Sequence, residues 1–284
     1  MLADTARRAE DLITAKIRRD AATPTARESL NAKTGQWGRV VALRVPALPE
    51  LAFYNKARGV NEDDLPHLDA ISAFFADAGA VPTLEVWAGD ARDRLGAVLA
   101  RRGMYAGTVT ATLHRELGSA PHPAEPAHHS VTVEELDPAD DADYLPTLVG
   151  GYELAQARPE QHAMLGVEHD PVAVRRYLAR VDGRPAAAAS LYLRPGDARH
   201  PGGALLSGAA TLPQYRRHGC QSALISRRLA DAGQVTDLAV VTVGYGSASQ
   251  TNLERAGFRI THTRTAWRPL VTEQPRRRQL LRLG

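Results

Sequence analysis

The chain has a single cysteine among its 284 residues, Cys220, which excludes an internal disulfide and fits a reducing compartment. No apolar run approaches the ~20 residues that span a bilayer. Near the N-terminus Arg7, Arg8, Arg18 and Arg19 alternate with Asp4, Glu10, Asp11 and Asp20, with no apolar segment of the secretory kind. The sequence therefore predicts a cytoplasmic protein with no membrane partner. An excess of one charge is also lacking, since 35 Lys and Arg face 32 Asp and Glu for a net charge of +3. The basic excess gathers in the tail, where Arg276, Arg277, Arg278 and Arg282 follow Glu273. Aromatics make up only 5% of the chain and none interleave with that run. It reads as a solvated terminus before it reads as a nucleic-acid contact. Two nucleotide fingerprints are missing as well: Gly-x-Gly-x-x-Gly after a strand, and Gly-x-x-x-x-Gly-Lys.

What is present is length for two domains and enough apolar residues, 44%, to fill their cores. Leu2, Ala6, Ala9, Ile13 and Ile17 fall at helical spacing, predicting an amphipathic helix over 3–19 and a connector to residue 35. Residues 36–118 then read as a small α/β unit. Strands are expected at 39–45, 83–87 and 105–113, and helices at 63–77, capped by Asn61 or Asp63, and 91–102, closed by Gly103. The Pro- and His-rich segment 119–130 reads as a linker. Its His122, His128 and His129 match no metal-site spacing, so no metal is expected.

Beyond the linker the pattern returns over 131–271, leaving a basic tail at 272–284. Strands are expected at 131–135, 184–193, 203–211, 237–243 and 258–270. Helices are expected within 140–156 and at 172–178, 221–232 and 249–256. Leu99-Ala-Arg-Arg-Gly-Met-Tyr105 parallels Leu253-Glu-Arg-Ala-Gly-Phe-Arg259, which points to an internal duplication. The fold class expected is α/β with mixed sheets in two tandem domains.

Chemistry concentrates between 204 and 258. An apolar strand runs to Thr211, then Pro213, Arg216, Arg217, His218 and Gly219 precede a helix opened by Cys220, Gln221 and Ser222. A helix N-terminus offers unpaired N–H groups and partial positive charge, so a diphosphate fits there. A glycine before it lets backbone approach oxygen closely. Ser247, Ser249, Gln250 and Asn252 cluster at the start of the next helix; capping accounts for Ser247 but not for Asn252, a poor helix former.

These segments resemble the acyl-CoA motifs of the GCN5-related N-acetyltransferases, closest to bacterial two-domain members. Arg216-Arg-His-Gly219 stands where that family has Arg/Gln-x-x-Gly, and Asn252-Leu-Glu-Arg-Ala-Gly-Phe258 resembles its later helix. The resemblance implies acetyl-CoA as cosubstrate. The backbone of Ala210, Thr211 and Leu212 would hold the pantetheine arm. Arg216, Arg217, His218, Gly219, Cys220, Gln221 and Ser222 would hold the diphosphate, and Ser249 and Asn252 would lie near the sulfur. It also implies a degenerate front domain, which lacks the Arg-x-x-Gly turn and is expected to bind no CoA and to frame the acceptor. Leu253 departs from the family, many of whose members carry there a Tyr able to protonate the leaving thiolate.

Amine acylation further needs a base, and Glu153, Ser207, Tyr192 and Tyr245 lie on segments able to face a cleft. Tyr245 and Glu153 are the catalytic candidates, with backbone N–H groups near Thr211 as oxyanion donors. Cys220 at a helix start has the setting of a reactive thiol, but a neighbouring diphosphate opposes a thiolate, so direct transfer is expected. The acceptor is a small-molecule or peptide amine, and the chain a monomer or homodimer. A non-catalytic acyl-CoA sensor and a nucleic-acid binder remain the alternative readings.

Overall fold

The computed structural model describes residues 2–118, 131–138, 142–197 and 201–270. The expected linker at 119–130, with its three histidines, and the basic tail lie outside them. In chain order the elements are α1 (Leu2–Ala21), β1 (Lys33–Trp37), β2 (Val40–Arg44), β3 (Lys56–Arg58), α2 (Leu68–Ala76), β4 (Thr83–Trp87), α3 (Asp93–Arg101) and β5 (Met104–Glu116). There follow β6 (Val131–Glu135), α4 (Tyr144–Gly151), α5 (Pro159–Glu168), β7 (Arg175–Val181), β8 (Arg184–Arg194), β9 (Gly203–Thr211), α6 (Cys220–Gly233), β10 (Leu238–Gly244), α7 (Ala248–Arg255) and β11 (Arg259–Pro269).

Contacts divide the chain into two units, neither of them one continuous stretch. One comprises Ile17–Ala111 with the strand residues from His262 on; the other comprises the chain up to Lys16 and Thr112–Thr261. The division thus falls inside β5 and β11, whereas the domains expected from sequence run consecutively.

In the unit that begins at Ile17, β1 and β2 form a hairpin, β3 joins antiparallel to β2, and β4 lies parallel to β3. Parallel neighbours need a crossover, and α2 supplies it. Ile71 and Phe75 of α2 and Leu95 and Leu99 of α3 bury against Val40, Ala42, Leu84 and Val86. Alternation along β2 and β4 places those four strand residues on one face.

In the other unit, β6, β7, β8 and β9 follow one another antiparallel, and β10 lies parallel to β9 with α6 as the crossover. Leu178 and Tyr177 show the two faces of β7. Leu178 packs with Tyr144, Leu148 and Leu165 of α4 and α5. The Tyr177 hydroxyl donates to Asp231 of α6 at 2.8 Å, and Asp231 also accepts from Arg227 and Arg175 at 3.0 and 3.2 Å. Helix α1 as far as Lys16 packs on this same unit. Arg8 Nε donates to the Gly202 carbonyl at 2.8 Å, and Lys16 Nζ to that of Glu168 at 2.8 Å.

One expectation needs correction, and two further elements, α5 and β1, had no expected counterpart. Residues 172–178 form no helix: Arg175–Val181 is a strand, because it pairs along its length with both β6 and β8. The helical spacing of its apolar residues yields to those two ladders. The helix α5 begins at Pro159 in its first turn, with Gln161 Oε1 accepting from the Arg158 N–H at 2.9 Å, a start signal the sequence reading passed over. Strand β1 was likewise missed, its side chains being mostly polar and exposed.

The expected duplication has a local counterpart in the backbone. Helices α3 and α7 each end at a left-handed glycine, Gly103 (φ 72°) and Gly257 (φ 82°), before a strand. A residue with a Cβ resists that conformation, so the two glycines explain the shared helix-stop pattern.

Candidate functional site

Two register pairs join β9 to β10, Ala204 with Ala239 and Leu205 with Val240. Beyond them β9 continues to Thr211 and β10 to Gly244 without further pairing to each other. The strands therefore part near their C-terminal ends, and the β9 backbone from Leu206 onward has an edge beside β10 that no ladder occupies. A bulge lies at the same place. Ser190 pairs with Ser207 and Ala189 with Ala209, leaving Gly208 as the extra residue, with φ 43°. A lone glycine inside a strand pattern signals a bulge; that signal was in the sequence.

One face of β9 is closed by α4. A Cβ on Gly151 would lie 2.7 Å from Ala210 Cβ, and one on Gly150 would lie 2.7 Å from Leu212 Cδ2. Glycine at both places lets the helix end lie against Ala210 and Thr211. Leu212 continues the chain by donating its N–H to the Ala186 carbonyl at 2.9 Å.

From Pro213 the chain makes one 3-10 turn and reaches α6 through two left-handed residues, Arg217 (φ 68°) and Gly219 (φ 81°). Gly219 is the N-cap of α6, and no side chain caps that helix. Its neighbours differ. In α7 the Ser247 hydroxyl accepts from the Gln250 N–H at 3.2 Å. In the β3–α2 crossover, Asn61 accepts from the Asp63 N–H at 2.9 Å and Asp64 from the Asn61 N–H at 3.0 Å. The β9–α6 crossover presents its first amides uncapped, rimmed by exposed Arg216, Arg217 and His218. Its counterpart between β3 and β4 is closed by its own side chains and begins Glu62-Asp63-Asp64. Uncapped N-terminal amides and flanking arginines suit an anionic group; a self-capped acidic turn does not.

The expected cofactor residues at the starts of α6 and α7 fall into three groups. Gln221, Ser249 and Asn252 are joined: Asn252 Nδ2 donates to Gln221 Oε1 at 2.6 Å, and Gln221 Nε2 to Ser249 Oγ at 3.2 Å. This chain ties the start of α6 to α7 and explains why an Asn sits within a helix. Ser222 is exposed on the first turn of α6. Cys220 turns inward, 2% exposed, and burial pushes its thiol above the ordinary range. The expected effect of the helix terminus is thereby outweighed.

Of the base candidates, Glu153 (φ 58°) accepts a charge-assisted bond from Arg216 Nη2 at 2.6 Å. Tyr245 stands in the turn after β10, 59% exposed. Ser207 sits at the bulge, its hydroxyl 2.9 Å from that of Ser190. Tyr192 is buried in β8 opposite Leu205, on the paired side of the gap. Leu253 is buried in α7.

Sequence reasoning missed a buried polar layer beneath the bulge. Tyr144 and His169 are within 2.7 Å through the phenol oxygen and Nδ1, and Arg176 Nε donates to the His169 carbonyl at 2.6 Å. Arg228 Nη1 donates to the Ser190 carbonyl at 3.1 Å. Desolvation, with Lys16 and Arg228 nearby, pushes the His169 pKa down to about 3. Burial lowers that of Arg228 to about 10. These residues lie far apart in sequence, and only the packing of α4, α5 and α6 on the sheet brings them together.

The fold is that of the GCN5-related N-acetyltransferases. A member from Kribbella flavida superposes with a TM-score of 0.61 at 19% identity, over 92% of this chain and 95% of its own. One from Sphaerobacter thermophilus gives 0.57 at 15% identity, over 94% and 93%. A tandem member from the clavulanic acid biosynthesis pathway gives 0.57 at 16% identity, over 83% and 79%. No family profile and no curated protein matches the sequence. No helix among the described residues is long and apolar enough to cross a membrane, and no described cluster of His, Cys, Asp and Glu suits a metal.

Proposed function

We propose that this chain is an acyltransferase that moves an acetyl group from acetyl-CoA directly to a primary amine. The observation that carries this reading is the parting of β9 from β10 immediately before an uncapped helix start at left-handed Gly219. The free edge of β9 near Ala210 and Thr211 suits the amide-rich pantetheine arm. The amides of α6, with Arg216 and Arg217, suit the diphosphate. The linked trio Gln221, Ser249 and Asn252 fixes α6 against α7 on the far side of the arm.

In such a transfer the amine nitrogen bonds to the thioester carbon, the carbon–sulfur bond breaks, and the nitrogen's proton ends on sulfur. Negative charge on the carbonyl oxygen is stabilised by N–H groups fixed along the free edge of β9. Glu153 and Tyr245 are the groups proposed to take the proton, directly or through water. Buried Leu253 carries no proton to give, so thiolate protonation falls to another group or to water.

Calorimetric titration with acetyl-CoA tests the site, comparing the native protein with Gly219→Glu. One-site binding that the variant loses supports the reading; no binding by the native protein ends it. Leu253 favours a second reading, an acyl-CoA sensor. Release of free CoA with any member of an amine panel decides for catalysis, and binding without release decides for the sensor.

A further inference from the structure

The buried layer under β9 has no part in the scheme above, yet it touches the one feature on which that scheme depends. His169 ends α5 with 2% of its surface exposed. A Cβ at position 208 would lie 2.0 Å from His169 Cε1 and 2.3 Å from Nε2. The imidazole edge thus occupies the volume that a side chain on the bulge would need. One bond holds the ring, and others hold the backbone around it and around the bulge. Tyr144, fully buried, hydrogen-bonds Nδ1 at 2.7 Å and thereby fixes the orientation of the ring. Arg176 holds the His169 carbonyl and stacks its guanidinium 4.9 Å from the Tyr144 ring centre. On the other flank of the bulge, Ser190 Oγ donates to the Ser207 carbonyl at 2.9 Å, and Arg228 holds the Ser190 carbonyl.

We propose that His169 is a positioning residue whose neutral imidazole, pinned by Tyr144, wedges beneath Gly208 and holds the β9 bulge that opens the strand's edge toward β10. The inference rests on the acyl-transfer reading for its consequence, though not for its geometry. Beneath a buried bulge an unfilled space forfeits packing contacts, which favours relaxation of the strand toward regular pairing. Here the filler is a flat ring that accommodates a bare Cα and nothing larger. A relaxed bulge shifts the amides that face the thioester, while the α6 amides and Arg216 stay in place. Loss of the wedge therefore separates catalysis from binding.

The experiment pairs His169→Ala and His169→Gln with Tyr144→Phe and reads acetyl-CoA affinity and CoA release separately. Affinity is expected within about 3-fold of native in all three, while release falls by about 10-fold or more in His169→Ala, as for a misplaced reacting group. Free imidazole is expected to restore part of that loss. His169→Ala turnover within about 2-fold of native, well short of the loss a misplaced group brings, overturns the inference. A second readout needs no turnover: thermal unfolding of Gly208→Ala in the native and His169→Ala backgrounds. The added methyl should lower the midpoint far more beside the intact ring than beside alanine. Equal drops overturn the wedge, and this cycle still decides if His169→Ala folds poorly, with His169→Gln as the second background. Absence of acetyl-CoA binding by the native protein overturns the acyl-transfer reading alone, because the unfolding cycle reports on the wedge regardless.

Discussion

Arg216 Nη2 donates to Glu153 Oε1 across 2.6 Å, so a cation proposed for the diphosphate is held by a carboxylate proposed as the base. Both side chains are about half exposed, at 52% and 53%. A pair of that kind contributes up to about 1 kcal/mol. Acetyl-CoA bound as proposed would have to share or displace it. Glu153→Gln should therefore tighten acetyl-CoA binding by up to about 5-fold at low salt, an advantage that shrinks as salt screens the native pair. Calorimetry at two ionic strengths checks this, and weaker binding by the variant would count against it. If Glu153 also serves as the base, the same variant binds more tightly and turns over more slowly.

The bond from Asn252 to Gln221 makes a second prediction. Asn252→Ala removes a side-chain bond worth about 1 kcal/mol and leaves Gln221 Oε1 without that donor. Thermal unfolding should register a loss of that size, and acetyl-CoA affinity should fall with it because only the Gln221–Ser249 bond then ties α6 to α7. A variant as stable as the native protein that still binds poorly would assign Asn252 to direct ligand contact instead.

Stability should depend on pH through His169. Its folded pKa is depressed to about 3 from 6.5, mainly by burial. Below 6.5 the unfolded imidazole takes a proton that the folded one refuses until about pH 3. The contribution is thus fully present above 6.5 and lost as pH falls through that window, at up to about 1.4 kcal/mol per pH unit. His169→Gln should flatten the acid limb of the unfolding curve between those limits. An acid limb of unchanged slope would show that other groups set it.

Cys220 should prove inert. Its Sγ is buried and lies 4.0 Å from the Tyr215 carbonyl, with its pKa raised by burial. Folded protein is expected to resist alkylation, and Cys220→Ala to retain turnover within about 3-fold. Complete loss of activity would point to an acyl-cysteine intermediate and against direct transfer.

The self-capped turn at Asn61 predicts stoichiometry. Asn61 and Asp64 occupy the first amides of that crossover and Glu62-Asp63-Asp64 surround them with negative charge. Titration should give one acetyl-CoA per chain. A second equivalent would sink the assignment of this unit as unable to bind CoA.

Legibility in the sequence followed the range of the interactions involved. Strands β4, β6 and β9 have the bounds their alternation and flanking residues predict, and the helix start at Gly219 is marked by its own loop. Such features are set by residues a few positions apart. The β7 misreading arose where two neighbouring strands decide the conformation. The layer of Tyr144, His169, Ser190 and Arg228 stayed hidden because each residue alone looks ordinary, and 84 positions separate the first from the last. Gly208 was the one local sign of it, a glycine inside an apolar strand.

The way the two units share the chain has a practical consequence. Residues 2–16 and the strand from His262 on each belong to the unit that holds the opposite half of the sequence. A gene cut at 119–130 would yield two fragments, each missing a piece of its own fold and carrying a piece of the other's. Neither should be soluble alone, and both should regain structure on mixing. The chain is thus a natural candidate for a split reporter, in which activity returns only when two tagged halves are brought together.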